Sequence, residues 1–349
     1  MRNRKIFAVF IVVFTVLLTT FSFYGYQILK SPNILVDKTS QVFIIPKDAT
    51  FSSVRDSLYT NDFVQDIVSF SFLARLMDYD VSIKPGRYVL EPNMSNVDAI
   101  RLLRAGIQVP VKITYNNVRL ISDLAEKITR GIEIDQNQFI KAYDDYSRNN
   151  TLGLTRETAF CIFIPNTYEV WWNISADGLV ERMEFEYENF WTSERVQKAN
   201  DIGLTPINVS ILASIVQAET RIKSESPQIA GLYINRLQKN MYLQADPTLV
   251  YAVGDFTLKR VLNIHKEIDS PYNTYKNKGL PPGPINLPEI WAIDAVLNYR
   301  KHSYIYMCAK EDFSGYHNFA TNLTEHNRNA QKYQRALSIE QRKARQNAN

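Results

Sequence analysis

From Ile6 to Leu29 the chain carries no charged residue, and Arg2, Arg4 and Lys5 stand just ahead of that stretch. Wound as a helix at 1.5 Å per residue, it reaches about 36 Å, enough to cross a bilayer with some tilt. The rival is a cleaved signal peptide. Against it stand the length of the apolar run and the bulky Phe21-Ser22-Phe23-Tyr24-Gly25-Tyr26 where a small-x-small cleavage site belongs. The sequence therefore predicts an uncleaved transmembrane anchor over residues 1–30. Basic residues before the span place the N-terminus in the cytoplasm and everything after Lys30 outside it. A chain so placed does not meet nucleic acid, and a net charge of +4 without a dominant basic run before the C-terminus argues the same way.

The remainder is long enough, at 45% hydrophobic residues over the 349-residue chain, for two or three domains with cores of their own. After a linker over 31–38, Gln41 to Ile45 reads as a strand, and Thr50 is placed to cap a helix from Phe51. A helix over Val64–Met77, a strand over Arg87–Leu90 and a helix over Ser95–Leu103 complete a small module spanning 31–107. A connecting α+β subdomain follows over 108–200: a strand at Val109–Tyr115, helices at Leu120–Thr129 and Gln136–Tyr146, a loop over Asp144–Asn150, and one long helix over Leu179–Lys198. Trp171 and Trp172 either line its core or stack on sugar faces. The last region, 201–349, ends in a polar, basic helix or tail from Arg328 onward.

Cys161 and Cys308 lie far apart in no metal-binding spacing and read as two buried free thiols. His265, His302, His317 and His326 form no HExxH-like cluster, so no metal site is expected. No nucleophile elbow or phosphate-cradling glycine loop occurs either.

Leu212, Ile215, Val216 and Glu219 fall at i, i+3, i+4 and i+7, which puts a carboxylate on the inward stripe of a helix. Such a Glu is either paired, with Arg221 or Arg236 nearby in sequence, or held in a dry pocket with its pKa raised. A raised carboxyl is what a general acid needs to protonate a glycosidic oxygen near neutral pH. Ser226-Pro227 opens a second helix, with Ser226 as cap, burying Ile229, Leu232, Tyr233 and Leu237. In Gln244-Ala245-Asp246-Pro247-Thr248, Asp246 can cap a helix starting at Pro247. Ser270-Pro271-Tyr272-Asn273-Thr274-Tyr275, then Lys278-Gly279-Leu280-Pro281-Pro282-Gly283-Pro284-Ile285, holds four prolines and two glycines. That composition fixes a stiff non-helical path displaying rings, hydroxyls and amides, which suits the wall of a sugar-binding cleft.

These blocks, ILASIVQAET, IAGLYINRL, MYLQADPTLVY, SPYNTYKNKGLPPGPI and HNFATNLTEHN, resemble in order those of the endolytic murein transglycosylase family (MltG, or YceG-like), over roughly Lys38 to Asn327. IPKDAT and KPGRYVL likewise resemble a LysM-like module. The resemblance implies an α+β fold with an N-terminal transmembrane helix, a small LysM-like module and a mixed α/β catalytic domain. It implies a single-pass protein of the bacterial cytoplasmic (inner) membrane acting on peptidoglycan glycan strands without a cofactor. Contact with the cell-wall synthesis machinery is a family-level expectation. The family's catalytic glutamate falls on Glu219, the last acid of an acid-x-acid pair whose first member is Gln217 here; Asn166 and Ala320 depart from the usual Asp and Ser. The implied reaction cleaves the MurNAc–GlcNAc β-1,4 bond and leaves a 1,6-anhydro end, with Glu219 as acid and then base. Gln244, Tyr272, Asn273 and Tyr275 are the candidates for holding the sugar, and Asn235, Asp246, His317 and Glu325 for orienting Glu219 or the loop. Two other readings stay open: a muramidase-type hydrolase using Glu219 and Asp246, and a catalytically silent glycan-binding scaffold.

Overall fold

Arg2–Lys30 winds as one helix whose apolar side chains are almost all left uncovered by the rest of the protein. It is long and apolar enough to cross a membrane, and so compatible with a single-pass anchor. The computed structural model describes residues 2–258 and 260–347. Met1, Lys259, Ala348 and Asn349 fall in the stretches assigned to the anchor and the catalytic domain and lie outside the described residues. The fold is mixed α+β, and its described strands form four two-stranded pairings.

The chain divides into two compact units. The first comprises Met1–Lys112, Gly131–Ile134 and Glu169–Ser175. Gln41–Ile45 pairs antiparallel with Gly86–Leu90, Gln41 facing Leu90 and Ile45 facing Gly86. The alternating pattern turns Phe43, Ile45, Tyr88 and Leu90 into the core. Helices Phe51–Thr60, Ile67–Leu76 and Asn96–Ala105 pack on them. Each begins where a short polar side chain accepts backbone amides: Thr50 from Ser53, Asp66 from Val68 and Ser69, Ser95 from Asp98. The two returning segments are tied in by Glu133 N to Trp172 O at 2.8 Å and by Asn173 Nδ2 to Pro85 O at 3.2 Å.

The second unit is mostly helical. Pro206–Glu219 is its central helix, capped by Thr205 and buried around its whole circumference from Val209 to Val216. Ser226–Gln238, Asp246–Val253 and Ile290–Leu297 surround it. Elsewhere in the unit, Phe139 and Tyr143 of Gln136–Asn149 share a buried layer with Leu179 and Met183 of Ala176–Phe190. Tyr306–Ala309 and His317–Ala320 form an antiparallel hairpin, Tyr306 facing Ala320 and Ala309 facing His317.

Several elements depart from expectation. The helix begun at Gln136 runs to Asn149, so most of the loop assigned to Asp144–Asn150 is helical; Asn150 ends it by taking the Leu154 amide on Oδ1 at 2.8 Å. The long helix over 179–198 is two, Ala176–Phe190 and Ser193–Asp201, because the Thr192 hydroxyl accepts the Arg195 amide and starts a new helix. Ser226 caps nothing, and Glu225 occupies the cap position. Asp246 is already inside its helix and makes no capping bond. Cys161 is a buried free thiol, while Cys308 is only half-buried. The basic C-terminal stretch is helical over Leu323–Asn347.

Candidate active site

Glu219 is the last residue of the central helix, where the buried rod meets its open end. Tyr233, fully buried on the facing helix, donates from Oη to Glu219 Oε1 at 2.5 Å. The other oxygen, Oε2, has no hydrogen-bond partner among the described residues. Burial among apolar neighbours pushes the Glu219 carboxyl up to about 7; the Tyr233 hydrogen bond pulls it down, the nearby Asp246 carboxylate pushes it up, and His317 and Arg236 pull it down. Arg236 acts there only through its field. Its Nε donates to Ile305 O at 2.7 Å and its Nη1 to Leu243 O at 2.5 Å, so the buried guanidinium is spent on main-chain carbonyls. Among the described residues neither Arg236 nor Arg221 forms an ion pair with Glu219.

Two further pairs border this carboxyl. Tyr275 Oη donates to Asp246 Oδ1 at 2.6 Å. Both His317 N and Nδ1 meet the buried Glu225, at 2.8 Å from Oε1 and Oε2. A carboxylate partner makes Nδ1 the proton-bearing nitrogen.

The loops that carry these residues are built from inside. Thr274 Oγ1 accepts the Ala245 amide at 3.0 Å and lies 2.8 Å from Thr248 Oγ1, both hydroxyls buried. Gln244 N donates to Thr274 O at 3.1 Å. The Gln-Ala-Asp-Pro-Thr and Tyr-Asn-Thr-Tyr segments are thereby locked side by side. Behind them, Ser214 Oγ accepts Ile285 N at 3.0 Å and Gln217 Oε1 accepts Glu289 N at 2.7 Å, which docks the proline-rich stretch on the central helix. Gln217 is thus a structural fastener.

The structure gathers Glu219, Asp246, Tyr275 and His317 about one point and places exposed Gln244 next to Asp246. Others of the nine candidates sit elsewhere. Asn273 is corrected: it is wholly buried, its Nδ2 donating to Lys266 O and Ile268 O and its Oδ1 accepting Tyr275 N, so it shapes the loop and has nothing left for a ligand. Asn235 Nδ2 donates to the carbonyls of His302 and Tyr304 at 2.8 and 2.9 Å and makes no bond to Glu219 among the described residues. Glu325 accepts Thr321 N at 3.1 Å, closing the start of the C-terminal helix instead of orienting Glu219. Tyr272 stays partly open, its ring 4.7 Å from that of Tyr251. Sequence reasoning missed Tyr233 and Glu225 as site residues. A tyrosine on a buried helix face carries a hydroxyl that needs a partner, which was the available signal for the first.

A family model described as the YceG-like family matches residues 43–332. Curated relatives bear the name endolytic murein transglycosylase. The one from Streptococcus pneumoniae (strain D39) is 26% identical over 359 residues, covering 93% of this chain and 64% of the relative. This chain therefore spans somewhat less than two thirds of the pneumococcal protein. The Bacillus subtilis relative is 28% identical over 314 residues, 85% of each. A crystal structure of a YceG-like protein from Listeria monocytogenes shares the fold, with a TM-score of 0.55 at 24% identity over 83% of this chain and 98% of that one. With most of its length matched by the family model, the chain belongs to the YceG-like family.

Proposed function

We propose that this protein is a membrane-anchored lytic transglycosylase that cuts inside peptidoglycan glycan strands, with Glu219 as its single acid and base. The reading is carried by one observation: a half-buried carboxyl at a helix end, bonded by Tyr233, with no ion pair among the described residues and pushed up to about 7 by burial. The name of its relatives, endolytic murein transglycosylase, supplies the substrate class.

The protonated carboxyl would give its proton to the leaving oxygen of the MurNAc–GlcNAc bond. The resulting carboxylate would then take the proton of the muramoyl C6 hydroxyl as that oxygen closes onto C1. Because the nucleophile belongs to the same sugar, its effective concentration is already high, and no second carboxylate is needed. Tyr233 holds the ionised intermediate form through its hydroxyl. The exposed Gln244 and Asp246 and the partly exposed Tyr275 would form the polar border against which the strand lies. Asp246 beside Glu219 also favours a second reading, hydrolysis with Asp246 activating water.

In the same reading, residues 31–107 act as a LysM-like module, 108–200 connect and 201–349 catalyse. The chain faces outward from the bacterial inner membrane, beside the machinery that makes the strands. The test uses purified glycan strands with wild type and Glu219→Gln. Mass spectrometry should find 1,6-anhydro ends from wild type alone. Reducing ends would establish the hydrolase instead, and unchanged strand length with wild type would leave a binding scaffold.

A further inference from the structure

The anchor helix is not joined to the first unit by a loose tether. Asn96 Nδ2 donates to Ile28 O at 3.2 Å and to Ser69 Oγ at 3.1 Å, while its Oδ1 accepts Asn33 Nδ2 at 2.7 Å. Asn33 in turn accepts Asp66 N at 2.6 Å and donates to Asp66 O at 2.9 Å. Asn33 and Asn96 are both buried, and Asp66 caps the helix Ile67–Leu76. A buried amide network thus fixes the start of that helix against the last turn of the anchor. Removing one partner would orphan the others, so the joint is stiff.

That helix is apolar on both sides. Ser69, Phe70, Leu73 and Ala74 face the core. The opposite stripe, Val68, Phe72 and Leu76 at i, i+4 and i+8, is 76%, 60% and 67% exposed, with Arg55 and Arg75 bordering it. Val68 and Phe72 also line one hollow together with Tyr24 and Gln27 of the anchor. About 20 helical residues cross the hydrocarbon core of a bilayer. Counted from Ile6, its outer edge falls at about residue 25, so Tyr24 and Gln27 straddle the headgroup boundary. Side chains that share a hollow with them share that depth.

We propose that the Val68–Phe72–Leu76 stripe is seated in the outer headgroup layer of the membrane that the anchor crosses, so that the first unit rests on lipid beside its own anchor. The proposal depends on reading Arg2–Lys30 as a membrane span. An apolar stripe with a basic residue, Arg75, at its edge is what a helix lying in that layer requires, while Arg55 beside it is held by Asp56 Oδ1 at 2.7 Å.

The test places nitroxide labels on full-length protein in phospholipid nanodiscs, with Cys308 changed to Ser and the buried Cys161 left in place. One label is carried by Phe72→Cys, an exposed position where folding is not at stake, and another by Val16→Cys in mid-anchor. The expected result is that oxygen relaxes the label at 72 at least as strongly as a water-soluble nickel chelate does, with a smaller excess than at 16. Chelate-dominated relaxation at 72 with a lipid-exposed 16 overturns the proposal and leaves the anchor standing. Protection of 72 from both reagents overturns it in favour of a protein contact, such as a second copy. Chelate access at 16 overturns the anchor and the proposal together.

Discussion

Replacing Glu219 by Gln removes the ionisable group while keeping the side chain's shape and an oxygen that can accept from Tyr233. In wild type the folded-state pKa of about 7 lies above the ordinary 4.5, so between those values the folded chain holds a proton that the unfolded chain releases. Stability therefore falls as pH climbs from 4.5 toward 7 and levels off above it. Raising a carboxyl over that interval corresponds to about 3 kcal/mol, an upper figure because Glu219 keeps part of its surface wet. The Gln variant has no such dependence. It should match wild type near pH 4.5 and exceed it by up to about 3 kcal/mol above pH 7.5, which is roughly 6–12 °C in melting temperature for a unit of this size. Activity on glycan strands should meanwhile drop about 10²–10⁴-fold, the usual contribution of a positioned acid–base group. Thermal melts of both proteins across pH provide the assay. A melting gap that is the same at pH 5 and pH 8, or a variant less stable at both, would refute the claim that the fold raises the pKa of this carboxyl.

Tyr233→Phe removes a donor that pulls the Glu219 pKa down, so the alkaline fall of the pH–rate profile should move to higher pH; an unmoved limb would count against direct contact. Thr274→Val should leave the Ala245 amide without its acceptor, at about 1–3 kcal/mol, and hydrogen exchange there should quicken while distant segments are unchanged. Gly231→Ala puts a Cβ 2.4 Å from Arg300 O and 2.8 Å from His302 Nε2, so melting should show a loss of about 1–3 kcal/mol as the 300–302 segment is pushed off its helix.

Local signals carried far along this chain and then stopped where distance began. Thr50, Ser95 and Thr205 mark helix starts because a capping side chain reads only the next three residues. The Ser-, Asp- and Asn-rich end of the helix Gln136–Asn149 misled because those residue types also serve in a last helical turn. Composition could not show that Gly131–Ile134 and Glu169–Ser175 return to the first unit, since such membership is made by bonds to residues far away in sequence. The same divide runs through the site. Glu219 stands out by its place on an apolar stripe, yet Glu225 acquires its partner 92 positions later, at His317. Within the irregular loop no periodicity separates Tyr275, which faces Asp246, from Asn273, which faces inward.

The inward-facing Asn273 has an evolutionary consequence. By gripping Lys266, Ile268 and Tyr275 from within, one amide keeps the loop's course independent of whatever its outer positions carry. Exchanges at Tyr275, Lys276 or Lys278 can then change what the loop presents outward without re-folding the rim, whereas an exchange at Asn273 would disturb all of them at once. Diversity among descendants of this chain should accumulate on the outside of that loop and spare its knot.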